Sequence, residues 1–198
     1  MVDDRVMAAS GVSCESCHGE SGGDTGWLNA HASYGLGKKQ LEDEDADHLK
    51  QRIKNCEVAG MIRTPRLYKL AKQCLSCHNV TNEKLVNAGH KPGEGYELVG
   101  YSTGEVRHNF HEDTKVNAAG PSLWVRRMDG KVEARKRIKF LVGILVDVEV
   151  ALSALGSVTE EGDFIEKQIE RVGFGTEVLG AILEVLEDDA PEELAMAM

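Results

Sequence analysis

Cysteine and histidine recur in this chain at a spacing that few chemistries require. Cys14-Glu15-Ser16-Cys17-His18 is repeated as Cys74-Leu75-Ser76-Cys77-His78, and the two pentapeptides hold four of the five cysteines. Two thiols separated by two residues and followed at once by an imidazole form the signature of covalent c-type haem attachment. Each thiol adds across one vinyl group of the porphyrin, and the adjacent imidazole is thereby held under the ring as an axial ligand. Two covalently bound haems are expected, on Cys14, Cys17 and His18 and on Cys74, Cys77 and His78. One structural zinc shared by the two C-x-x-C pairs is the competing explanation. The stretch between Cys17 and Cys74 is far longer than the roughly 15–20 residues usual between zinc-ribbon pairs, and zinc does not call for a histidine after both pairs. A thioredoxin-like redox pair also leaves the two histidines unexplained.

Five further histidines remain after His18 and His78, enough to give each iron a second imidazole. His31 closes Trp27-Leu28-Asn29-Ala30-His31, where Trp27 and His31 share a face if the segment is helical. His90 lies in the turn-forming run Val86 to Gly93. His108 and His111 are three residues apart and could share a helical face, so both could be haem ligands; without an Asp or Glu as a third leg at helical spacing they are a weak motif for any other metal. His48 sits in a polar stretch and is expected in solvent. Ligation by Met61 or Met128 is the lesser alternative. A six-coordinate iron has no position for substrate and serves electron transfer. An iron left five-coordinate would instead bind peroxide, nitric oxide or a nitrogen oxide, with His108 or His111 as acid–base groups. The electron carrier is the first reading, the haem enzyme the alternative, and a haem-bearing assembly subunit built on the C-terminal helices a third.

The elements that must position these groups divide the 198 residues into a loop-rich dihaem region, 1–125, and a helical hairpin, 126–198. The expected class is mostly α. Gly19, Gly22, Gly23 and Gly26 make a loop after the first motif, with neither the strand nor the G-K-[ST] of a phosphate loop. Lys38 to Asn55 reads as a polar, solvated helix with acidic residues ahead of basic ones. Cys56, left over by the motifs, is expected as a small buried hydrophobe. Thr64-Pro65 should open a helix running from Pro65 to about Cys77 and into the second motif.

From about Gly130 apolar residues recur at helical spacing. Ile138, Leu141, Val142, Leu145, Val148, Leu152 and Leu155 form one stripe. Gly156 stands at the position of a C-cap glycine, and Ser157 to Glu160 fits a capping box. A second helix, about Thr159 to Glu187, carries Ile165, Ile169, Val172, Leu179, Ile182, Leu183 and Leu186, with a kink or break expected at Gly173 and Gly175. The short connection makes the pair antiparallel. The basic run Arg126, Arg127, Lys131, Arg135, Lys136, Arg137 and Lys139 reads as a solvated face, able to meet haem propionates or an acidic redox partner.

A net charge of −10 argues against a nucleic-acid partner, because a phosphate-binding surface would show a basic excess. The most apolar run, Phe140 to Val146, is far short of the roughly 20 residues of a membrane span. Covalent haem attachment implies a periplasmic or otherwise extracytoplasmic home, although Met1 to Ser10 has no signal-peptide h-region.

The segment Gly11 to Gly19, Trp27-Leu28 with His31, Cys74 to His78, Ala88-Gly89-His90 and Tyr96-Glu97-Leu98 together resemble the cytochrome c-554-like multihaem cytochromes. The terminal helices, with Val142 to Val146 leading to Glu149, are similar to the C-terminal part of larger members. The resemblance implies electron transfer through mostly bis-histidine haems and redox protein partners. Members usually carry four haems, and this chain matches the last two motifs only. In the family the histidine in the place of His31 tends to serve a neighbouring haem, here missing. A two-fold homodimer exchanging His31, ligation within the chain, and no ligation at all stand as alternatives. The hairpin is further expected to associate with another helical pair, the haem region of the same chain or a second subunit in a homodimer, because two helices leave part of a broad apolar stripe uncovered.

Overall fold

The computed structural model describes residues 13–33, 44–63, 65–93, 96–103 and 132–186. All regular secondary structure among them is helical, as the sequence predicts: α1 (Cys14–His18), α2 (Trp27–His31), α3 (Ala46–Val58), α4 (Leu67–His78), α5 (Glu83–Asn87), α6 (Leu98–Thr103), α7 (Val132–Leu155) and α8 (Asp163–Leu186). Two compact units divide the chain, Met1–Gln73 and Cys74–Met198. The division expected near residue 126 lies outside the described residues.

In the first unit α1 stops at Gly19, whose φ of 80° suits glycine and whose N–H donates to Glu15 O at 3.0 Å. The Glu15 carboxylate then accepts from Ser21 N and Oγ at 2.8 and 2.9 Å and draws the glycine loop back. A Cβ on Gly26 would lie 2.1 Å from the carbonyl oxygens of Ser21 and Gly22, so only glycine fits where α2 begins. Helix α3 starts at Ala46, not Lys38. Asp45 is its cap and accepts from Asp47 N and His48 N at 3.1 and 2.8 Å, a conformation that excludes Asp45 from the helix. Nor is α3 only a solvated face, because Arg52 and Cys56 are buried on its inner side.

Helix α4 begins at Leu67, two residues after Pro65. Arg66 N donates to Arg63 O first, and Leu70 N then donates to Arg66 O. Leu67, Leu70, Ala71 and Leu75 form its buried stripe, which ends in the second motif.

The second unit contains the expected hairpin, α7 against α8, but its inner face differs from the expected stripe. Ile138, Leu152, Ile169 and Leu186 are more than 40% exposed, whereas Ile144, Val146, Ala151 and Ala154 on α7 and Phe164, Gln168, Gly175 and Leu179 on α8 are buried. Gln168 and Gly175 lie among these buried residues, and hydrophobicity counting misses both. Helix α8 continues through Gly173 and Gly175 without the expected break. A Cβ on Gly175 would lie 2.2 Å from Val148 Cγ2, and one on Gly143 would lie 2.9 Å from Leu98 Cβ. The glycines therefore serve close helix approach, of α8 and α6 respectively onto α7.

The turn between α7 and α8 is tied down from outside. Gly156 follows α7 without a left-handed φ. Ser157 Oγ donates back to Ala154 O instead of capping α8. Glu83 of α5 accepts from Thr159 N, Thr159 Oγ1 and Glu160 N, and Asn87 Oδ1 accepts from Phe164 N at 2.9 Å. The residues expected as a capping box are thus held by a carboxylate distant in sequence. Lys139, expected on a solvated basic face, is buried and donates to Ser102 Oγ at 3.1 Å. Arg126, Arg127 and Lys131 lie outside the described residues. No helix among the described residues is long and apolar enough to cross a membrane.

Gly175→Ala should destabilise the protein by about 1–3 kcal/mol, the usual cost of overpacking a close contact. Val148→Ala in the same chain should recover part of that loss. Chemical unfolding followed by circular dichroism measures both, and an unchanged stability for Gly175→Ala would show that α7 and α8 are not in close contact there.

Candidate functional site

Each C-x-x-C-H motif is helical and ends on its histidine: α1 consists of the first motif, and the second forms the last turns of α4. A helical C-x-x-C places the thiols one turn apart on one face, with the imidazole adjoining. None of the five cysteines is in a disulfide, and Cys14 and Cys77 are exposed. Thioether formation requires thiols in this state.

His18 is 5% exposed, and its ring orientation is set by the backbone. Nδ1 stands 2.6 Å from Ile62 O. A carbonyl oxygen can only accept, so Nδ1 carries the proton and Nε2 is the nitrogen suited to iron. Ile62 N returns a bond to His18 O at 2.9 Å, fixing both partners. Trp27 packs edge-on to His18 with ring centroids 5.9 Å apart and edge-on to His31 at 6.0 Å. Its Nε1–H donates to Gly19 O at 2.7 Å.

The helix ending in His31 is held by an arginine. Arg52 Nη1 donates to His31 O at 2.9 Å, while Nε and Nη2 bind the Glu44 carboxylate at 2.8 and 2.7 Å. The Glu44 side chain is fully buried and also accepts from His48 Nδ1 at 2.6 Å. Arg52, followed by His48, holds Glu44 down to about 2. Burial first, then the charge of Arg52, lowers the pKa of His31 and so favours the neutral ring, the form that ligates iron.

His78 has different surroundings. Its ring stacks on Tyr96 at 4.5 Å and meets Tyr101 edge-on at 5.1 Å. No hydrogen bond reaches its ring nitrogens among the described residues. Burial, then Arg171, lowers its pKa. Its carbonyl is the anchored atom: Arg171 Nη2 donates to His78 O at 2.7 Å and to the carbonyls of Pro92 and Gly93. Nη1 of the same guanidinium binds both Asp147 oxygens at 2.7 and 2.8 Å. Asn79 Nδ2 donates to Asp147 Oδ1 at 3.2 Å, which leaves Asn79 Oδ1 to accept from Gln168 Nε2 at 2.9 Å. A Cβ on Gly93 would lie 2.2 Å from His78 O, so the loop passes directly over the end of α4.

Of the other sequence-predicted residues, His90 is exposed, and its Nδ1–H donates to Lys91 O at 2.8 Å. His48 is a partner of Glu44. Cys56 is 2% exposed, as expected, and burial raises its thiol pKa. His108, His111 and Met128 lie outside the described residues. Among the described residues, no group of three or more His, Cys, Asp or Glu side chains is gathered to hold a metal ion. Haem needs no such group, because the porphyrin supplies four of the donors itself.

Sequence reasoning missed the Ile62 carbonyl, the tyrosines as packing partners of His78, and the two arginine–carboxylate pairs. Apolar spacing signals none of these, because it marks Ile165, Ile169 and Val172 instead of the line that carries Gln168 and Arg171.

No family model, no curated protein and no solved structure matches this chain.

The first unit should respond to acid through Glu44. Its folded pKa is depressed, so the stabilisation from the Arg52 pair is complete above the ordinary carboxylate value of 4.5 and is lost as pH falls toward about 2. Glu44→Gln should be less stable at neutral pH and should lose this part of the pH dependence. Equal acid sensitivity in the wild type and the variant, measured by Trp27 fluorescence in a Trp124→Phe background, would contradict the pairing.

Proposed function

We propose that this chain is a dihaem c-type cytochrome that passes single electrons between redox proteins in the periplasm or another extracytoplasmic space. The observation that carries the reading is the bond from His18 Nδ1–H to Ile62 O, at the end of a helix holding both thiols of its motif. A metal-bound histidine commonly donates its other ring nitrogen to a carbonyl in this way. When bound, haem supplies a one-electron couple at iron. The protein's part is to attach it through Cys14, Cys17, Cys74 and Cys77, to ligate it through His18 and His78, and to limit solvent access. Thiol addition to a vinyl group consumes no oxidant: the sulfur bonds to one vinyl carbon and the proton goes to the other.

His31 is the distal ligand this reading favours. Burial lowers the pKa of its ring, and its backbone is pinned by Arg52. His90, with an exposed ring, and His108 remain the further ligand assignments. The same reading takes the chain as a member of the cytochrome c-554-like group, with redox proteins as partners and no nucleic acid. A second copy is also a proposed partner, docked on the hairpin's exposed Ile138, Leu152, Ile169 and Phe174.

Electron paramagnetic resonance of the oxidised holoprotein should show low-spin iron only, and His31→Ala should turn one centre high-spin. A dominant high-spin signal in the wild type that shifts with cyanide or nitric oxide would replace the electron carrier with a haem enzyme.

A further inference from the structure

The two motifs end in unlike surroundings, and the difference bears on where an electron rests. At His18 the Nδ1 proton is drawn toward a carbonyl 2.6 Å away. Such a bond increases electron donation from Nε2 and so favours oxidised iron. At His78 no hydrogen bond reaches the ring among the described residues, and the ring instead stacks on Tyr96 and meets Tyr101 edge-on. His78 is also the last residue of a twelve-residue helix, whose carbonyl end carries partial negative charge. Arg171 covers that end. Nη2 faces the carbonyls of His78, Pro92 and Gly93, and Nη1 faces Asp147, so the cation lies between the carboxylate and the ligand residue. The guanidinium is always charged, and its side chain is only 12% exposed, which limits screening by water.

Arg52 caps the helix of His31 in a comparable way, so the arginines alone do not rank the two sites. The proximal ring nitrogens do. We infer that the haem attached at Cys74–His78 is the higher-potential centre of the pair, and that Arg171 is the positioning residue that holds it there. The inference rests on the dihaem reading above. It makes the second unit the resting place of the first electron to enter.

The test is a spectroscopic redox titration of the holoprotein, after its haem content has been measured. Two waves are expected. Arg171→Gln should move the upper wave to lower potential, because the Asp147 carboxylate loses its counter-charge. Asp147→Asn, close in shape to the original, should move the same wave upward. The lower wave should stay in place in both variants. Opposite shifts from two neighbouring substitutions separate electrostatic control from loosened packing, which has no reason to reverse sign. A single wave in the wild type, movement of the lower wave, shifts of the same sign in both variants, or no shift at all would overturn the inference. A haem content other than two per chain would instead remove the dihaem reading itself.

Discussion

A guanidinium confined between a carboxylate and three carbonyls fixes the geometry of the second unit. Arg171 of α8 joins Asp147 of α7 to the last residue of α4 and to the loop at Pro92 and Gly93. Without those acceptors a cation this little exposed would be costly, and without the cation the carbonyls at the end of α4 would lose their donors. The constraint runs both ways: the hairpin orients the second motif, and the motif's helix end gives the hairpin a reason to carry a charge on its inner face. Asn79 and Gln168 extend the network inward, and the Asp147 carboxylate determines which way each amide must face.

The first unit solves a similar problem without long helices. Arg52 and the buried Glu44 hold the carbonyl end of α2, and a reciprocal pair of bonds between His18 and Ile62 holds the motif. In both units a histidine-ended helix is anchored at its backbone, and that anchoring holds its ring in place. Short helices of five residues, such as α1 and α2, have little stability of their own, so these outside bonds maintain them.

The sequence displays most plainly what depends on local spacing. The two motifs, the helix leading into the second, the hairpin and the burial of Cys56 are all legible from residues close together in the chain. Bonds between distant residues are hidden. Nothing near Thr159 or Glu160 announces that Glu83 will take their amides, so Ser157 looks like a cap although Asn87 performs that task. Gly175 looks like a helix breaker because glycine's weak helix propensity is a local property, while its use as a contact point for Val148 is not. Apolar periodicity finds the correct helices, yet Ile138, Leu152 and Ile169 of the expected stripes are largely exposed while Gln168 and Gly175 are buried.

We propose that both motifs are covalent haem attachment sites. The most direct test is the intact mass of the denatured protein, purified after export from cells that carry a haem-attachment system. Covalent attachment predicts a mass above that of the polypeptide by two haems, falling by one haem when Cys74 and Cys77 are both replaced by alanine. A denatured mass equal to that of the bare chain would contradict the account.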